Sequence, residues 1–261
     1  MTAHKHPEAA GRAVIVTGGA RGIGKDIVDR LLDDGYRVGT IDLDPGPATA
    51  EKAAGRRVDH QGSVTDEQAI AAFVDQVTAE LGPIHGVVNN AGLGGLVADT
   101  ADYDFGMFER VLGVNVLGPV RVLQKAIPSM LAAGRGGRIV NIGSMFGQSG
   151  VAGSSAYCAS KAALHTLTHC LALELAPHGI TANTVAPGNV LTDMHLDALR
   201  IRAEQQGVSP EEQETAVRAG VPLGRHGTGH DIAPLVSWLL SDASAYMTGQ
   251  TIGVNGGVLL S

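Results

Sequence analysis

The chain has 261 residues, 44% of them hydrophobic and only 3% aromatic, with a formal net charge of −7. That length suits one large α/β domain, and the shortage of aromatics leaves Ala, Val, Ile and Leu to build the core, as in buried parallel strands covered by helices. No clustered Lys and Arg offer nucleic acid a counterion-displacing surface and no apolar run spans a bilayer, so neither is an expected partner.

The polar start, Met1 to Gly11, is expected to be a frayed tail rather than a signal peptide. Ala13-Val-Ile-Val-Thr17 is a short apolar run of strand type. Gly22 to Asp34 then places Ile23, Ile27 and Leu31 at helical spacing. Arg37–Asp42 and Arg57–Gln61 are the next strands. Thr65–Leu81 is predicted as a helix capped by Thr65, with Gln68 three residues on as its partner. Ile84–Asn89 is a fourth strand. A long helix is expected from about Tyr103 to Ala133, kinked near Pro119 and Pro128. Gly137–Ile142 follows as a strand, Ser154–Leu175 as a second long helix, and Ile180–Ala186 as the sixth strand. Residues 189–222 break the rhythm and form the expected substrate loop; the charged Arg200–Glu214 stretch within it is a solvated helix pair or a lid. Gly229–Leu240 is a helix and Thr251–Val254 the last strand.

This alternation predicts a doubly wound parallel sheet of Rossmann type, a single domain over residues 12–261. Ligands bind such sheets beyond the carboxyl ends of the strands, where strand order reverses. The residues after each strand are therefore the ones to inspect.

After the first strand comes Thr17-Gly-Gly-Ala-Arg-Gly-Ile-Gly24. Gly18, Gly22 and Gly24, with Arg21 and Ile23 between them, permit a sharp turn, close approach of a pyrophosphate, and a helix whose positive end faces it. The strand-to-helix context turns a weak glycine pattern into a dinucleotide site. Asp42, at the end of the second strand, is placed to accept from both ribose hydroxyls and to repel a 2′-phosphate. NAD is therefore expected over NADP, although Arg21 pulls the other way; Asp44 is expected to be a turn residue.

Three further segments carry a family resemblance: Asn89-Asn-Ala-Gly92, Ser144, and Tyr157-Cys-Ala-Ser-Lys161. With Asn115, Pro187-Gly188 and Tyr246-Met-Thr-Gly249 they make the chain resemble the short-chain dehydrogenase/reductase family in its compact single-domain branch. The residues alone support the chemistry: Tyr157 and Lys161, four apart, share a helix face, and a lysine cation there lowers a phenol's pKa toward neutrality. The resemblance implies that Tyr157 is the acid/base, Ser144 holds the substrate oxygen, Lys161 also binds the nicotinamide ribose, and Asn115 orders a water that relays protons to Lys161. It implies that Asn90, Ala91 and Gly92 line the cofactor and that Pro187, Gly188, Val190 and Thr192 cradle its nicotinamide end. Where the family has Asp-Val after the third strand, this chain has Ser63-Val64, which weakens the hold on adenine.

The implied function is hydride transfer between NAD(H) and a secondary alcohol or ketone, in a cytoplasmic homotetramer. A loose likeness of Pro187–Leu191 and Gln205–Pro210 to polyol dehydrogenases suggests a polyol or sugar alcohol. The alternatives are an NADPH-dependent 3-oxoacyl or other ketone reductase and, in another class, a non-catalytic dinucleotide-binding sensor or scaffold. Cys158 and Cys170 lie in one helix with neither disulfide nor metal spacing, as a reducing compartment allows. His85, His165, His169 and His178 lack an evident third ligand, so no metal is expected and packing or surface roles are assigned to them. The pocket is expected from Leu93–Val97, Ser144–Ser154 and Asn189–Pro222, with Gln148 and Asn189 as polar handles and no arginine poised to clamp an anion.

Overall fold

The computed structural model describes residues 9–46, 52 and 54–260. Among the described residues seven strands are found: β1 (Ala13–Thr17), β2 (Arg37–Asp42), β3 (Arg57–Gln61), β4 (Ile84–Asn89), β5 (Gly137–Ile142), β6 (Ile180–Pro187) and β7 (Thr251–Val254). They form one sheet in the order β3-β2-β1-β4-β5-β6-β7, with every pairing parallel. The order reverses between β1 and β4, which opens a crevice at their carboxyl ends.

Alternation along each strand decides the packing. In β1, Ala13 and Ile15 face one core, shared with Phe73, Val77, Leu123 and Leu171. Val14 and Val16 face the other, shared with Ile27, Leu31, Ile232 and Val236. Helices α1 (Gly22–Asp33) and α8 (Gly229–Leu240) thus cover one face. Helices α2 (Glu67–Leu81), α4 (Gly118–Ala133) and α5 (Ser155–Leu175) cover the other.

Three expectations need correction. The cap of α2 is Asp66, not Thr65: its carboxylate accepts from the amides of Gln68 (2.9 Å) and Ala69 (3.1 Å), while the Thr65 hydroxyl pairs with Ser63 at 2.8 Å. A carboxylate at the helix start also opposes the macrodipole.

The single helix over 103–133 is instead α3 (Phe105–Leu112), a π-helical turn (Gly113–Leu117) and α4. The irregularity precedes Pro119, which sits in the first turn of α4, and α4 continues through Pro128. The buried Asn115 lies within it and bonds both main-chain groups of Leu93; π-bulges of this sort recur at functional sites.

Finally, the end of the expected tail is fastened to the fold: Ala9 is fully buried, and the exposed Gly11 donates its amide to the Gly35 carbonyl at 3.2 Å. Residues 1–8 lie outside the described residues. The segment 189–222, expected as the substrate loop, contains α6 (Asp193–Gln206) and α7 (Pro210–Ala219).

Candidate active site

The glycine loop lies at the crevice. Gly18 and Gly22 have φ of +67° and +55°, a region L side chains rarely adopt. At Gly24 a Cβ would overlap the Gly18 carbonyl oxygen, so glycine there lets α1 start against the loop. Arg21, the residue preceding α1, is extended and makes no side-chain cap bond, which leaves the first-turn amides of α1 available to an anion. Asn90 braces the loop: its amide nitrogen donates to the carbonyls of Thr17 (3.0 Å) and Gly18 (2.9 Å). The Thr17 hydroxyl in turn accepts from the amides of Asn90 and Ala91, both at 3.0 Å. An open helix start and a tight glycine turn fit a dinucleotide pyrophosphate.

Asp42 faces this loop, accepting from the amides of Ala20 (2.9 Å) and Asp44 (3.1 Å). Each carboxylate oxygen retains a lone pair for a further donor. Asp44 is the turn residue expected. Arg21 is largely exposed and lies between Asp44 (3.7 Å) and Asp193 (3.3 Å). Ser63 is spent on the amide and hydroxyl of Thr65. The Val64 side chain is buried in the core. On the far rim, the Gly188 amide donates to Val254 at 3.0 Å, Val190 is buried, Pro187 ends β6, and Thr192 caps α6 by accepting from His195 at 3.3 Å. The Thr192 methyl lies 3.6 Å from where a Gly22 side chain would begin, so the two rims meet.

Ser144, Tyr157 and Lys161 converge beside Gly92. The Ser144 hydroxyl faces the Tyr157 phenol closely enough to favour its ionised form. The Lys161 ammonium sits 5.7 Å from the Tyr157 ring centre and donates to the Ile142 carbonyl at 2.8 Å. It also lies 3.7 Å from where a Gly92 side chain would begin, beside the Asn115 carbonyl oxygen at 3.5 Å. Burial pushes the Lys161 pKa down to about 8. Burial first, opposed by the Ser144 hydroxyl, raises the Tyr157 pKa above its ordinary value. The lysine expected to activate it lies near the ring, but the shift arises from burial, Ser144 and Cys158 and not from Lys161.

Asn115 accepts from the Leu93 amide (2.7 Å) and donates to the Leu93 carbonyl (2.9 Å) and the Ser160 hydroxyl (2.9 Å). It thereby ties the loop after β4 to α5.

Sequence reasoning gave His165 no role at the site. Its ring is buried directly behind the serine: side chains at Gly143 or Gly147 would run into it, and its Nε2 accepts weakly from the Ser144 amide at 3.5 Å. Burial, with help from the charge on Lys161, pushes its pKa down to about 4, so the ring is neutral. Its position four residues after Lys161 was the available signal. The His195 and His226 rings also meet, 5.2 Å apart, but among the described residues no group of three or more His, Cys, Asp or Glu could hold a metal ion. Nor is any described helix long and apolar enough to cross a membrane. A separate cavity of about 90 Å³ lies against Asn189, Val221 and Arg225 and includes none of Ser144, Tyr157 or Lys161.

A parallel sheet with a glycine loop at its reversal point and a Ser-Tyr-Lys cluster across the crevice defines an oxidoreductase of the dinucleotide-binding class. The chain belongs to the short-chain dehydrogenase/reductase family: the family model described as Enoyl-(Acyl carrier protein) reductase matches residues 18–259. It is 35% identical to a 3-oxoacyl-[acyl-carrier-protein] reductase of Staphylococcus aureus over 95% of this chain and 98% of that one. It is 36% identical to a galactitol 2-dehydrogenase of Agrobacterium fabrum over 96% and 98%. Among solved structures, an NAD+-bound xylitol dehydrogenase superposes with a TM-score of 0.87 at 32% identity, covering 96% of this chain and all of that one. An actinorhodin polyketide ketoreductase with NADPH gives 0.87 at 33%, covering 95% and 97%.

Proposed function

We propose that the protein oxidises a secondary alcohol of a polyol or sugar alcohol with NAD+, and that Tyr157 is its acid/base. The observation that carries this is the convergence of Ser144, Tyr157 and Lys161 beside Gly92. Bound nicotinamide supplies the hydride acceptor, or the donor in the reverse direction. Tyr157, as phenolate, takes the carbinol proton. Ser144 holds the carbinol oxygen by a hydrogen bond and aims it at Tyr157. Lys161 stabilises the phenolate and binds the nicotinamide ribose, and Asn115 orders a water that relays the proton onward. Gly18, Arg21, Gly22, Ile23 and Gly24 receive the pyrophosphate end. Ser63 and Val64 border the adenine, and Asn90, Ala91 and Gly92 line the middle. Pro187, Gly188, Val190 and Thr192 cradle the nicotinamide.

Asp42 selects NAD by accepting from the adenosine ribose hydroxyls, which is worth about 1.5–3 kcal/mol for a charged acceptor. The galactitol and xylitol dehydrogenases among the relatives support a polyol. The second reading, reduction of a 3-oxoacyl or related ketone with NADPH, is favoured by the exposed Arg21, whose guanidinium lies near Asp44 and could meet a 2′-phosphate. Assembly as a homotetramer fits the exposed Phe105, Leu117, Leu173 and Leu260, and the free thiols Cys158 and Cys170 suit a reducing cytoplasm. Fluorescence titration with NADH and NADPH, followed by nicotinamide absorbance with polyols, secondary alcohols and ketones, tests the proposal. Tighter NADH binding with polyol turnover supports it. Tighter NADPH binding with ketone reduction transfers it to the second reading.

A further inference from the structure

Helix α6 closes one side of the substrate cleft and is fastened to both other walls. Near its start, Met194 packs 3.1 Å from where a Gly94 side chain would begin. At its end, the Gln205 side chain donates to the Val97 carbonyl at 2.8 Å. Between them, the half-buried Arg202 reaches the other wall: its Nη2 donates to the Ala152 carbonyl (3.2 Å) and the Ser154 hydroxyl (2.9 Å). The two walls meet where the Ala98 amide donates to Gly153 at 3.0 Å. Ser154 is the residue preceding α5 and stands three positions before Tyr157. The guanidinium is therefore docked at the start of the helix that carries the phenol.

Both partners of Arg202 are neutral, so its charge is uncompensated. Nε and Nη1 make no hydrogen bond among the described residues and are not enclosed. Among the described residues nine of the fourteen arginines (Arg12, Arg21, Arg30, Arg57, Arg121, Arg138, Arg200, Arg218 and Arg225) lie within 4 Å of a carboxylate, and Arg202 is not one of them. Two positions along the same helix, Arg200 pairs with Asp197 at 2.8 Å. Asp99 follows Ala98 at the wall junction, yet no ion pair joins it to Arg202 among the described residues. A planar guanidinium with a free edge is the side chain best suited to a carboxylate or phosphate.

We propose that Arg202 is a specificity-determining residue that binds an anionic group of the substrate, so that the substrate is a hydroxylated chain ending in a carboxylate or phosphate rather than a neutral polyol. This rests on the alcohol-oxidising function proposed above and narrows its substrate class. Nη2 keeps the lid docked while Nε and Nη1 receive the anion.

The test uses the full chain saturated with its reduced nicotinamide cofactor, titrated calorimetrically with inorganic phosphate and with D-gluconate. Arg202→Gln is the informative variant, because it removes the charge and keeps a polar amide; Arg202→Lys restores the charge without the fork. Binding of either probe that weakens at least tenfold in the Gln variant and partly recovers in the Lys variant is expected, and the tighter probe separates phosphate from carboxylate. No binding of either probe to the wild type, or equal affinity in wild type and the Gln variant, overturns the proposal. Turnover of D-sorbitol, D-sorbitol 6-phosphate and D-gluconate is measured alongside. Failure of all three sinks the polyol-oxidation reading, whereas turnover of D-sorbitol with no anion preference and no effect of Arg202→Gln sinks the anion proposal alone.

Discussion

Replacing Lys161 with methionine keeps most of the side-chain volume and removes a buried charge. The ammonium lies 5.7 Å from the centre of the Tyr157 ring, over which a phenolate charge is partly spread. At an effective dielectric of about 20 their attraction is about 3 kcal/mol, equivalent to about two pK units on the tyrosine. Because burial already holds Tyr157 above 10, Lys161→Met is expected to lower kcat/KM for alcohol oxidation at pH 7 by about 100-fold, with recovery as pH rises. The acidic limb of the pH–rate profile, along which the phenolate is protonated, should move up by about two units. Tyrosine and lysine titrate as a pair, so the limb belongs to both.

A second readout has the opposite sign. The folded-state pKa of Lys161, about 8, lies below its ordinary 10.5. The unfolded chain therefore binds more protons between those values, and wild-type stability rises with pH through that window. Below pH 8 the fold bears the cost of the buried charge, so Lys161→Met should raise Tm at pH 7 and remove that pH dependence. Initial rates from pH 6 to 10, with thermal melts at each pH, decide the matter. A kcat/KM within twofold of wild type at pH 7, or a loss of equal size at every pH, would refute the electrostatic role.

Tyr157→Phe should abolish turnover while NADH titration stays within a few-fold of wild type; retained turnover would remove Tyr157 from the chemistry. Asp42→Ser should weaken NADH by about 10- to 100-fold, the size of a charge-assisted hydrogen-bond loss, and bring NADPH to equal or better affinity in the same fluorescence assay. Asn115→Ala leaves both main-chain groups of Leu93 without their partner and should cost about 2–4 kcal/mol in denaturant unfolding. His85, His165 and His195 are each pushed to about 4, chiefly by burial. Folded values below the ordinary 6.5 mean stability is complete above that pH and lost as pH falls toward 4. Melts between pH 7 and 4 should show this, with a shallower slope for His165→Leu.

Much of this protein was legible in its sequence because the signals are local. The apolar run Ala13–Thr17, the glycines at 18, 22 and 24, and the four-residue spacing of Tyr157 and Lys161 each constrain a few neighbouring residues whatever the rest of the chain does. The strand boundaries and the parallel doubly wound order follow from that alternation. What remained hidden depends on partners far along the chain. Thr65 and Asp66 are both cap-forming types, and the register at which α2 starts gives the cap to the aspartate. The π turn at Gly113–Leu117 holds Asn115 against Leu93, 22 residues before it. His165 is an ordinary helix residue until Gly143 and Gly147 close over its ring. Arg202 reads as one more charge on a solvated helix. Only the docking of α6 against Ala152 and Ser154 brings it to the start of α5, because a side chain's neighbours across a fold are fixed by packing and not by spacing along the chain.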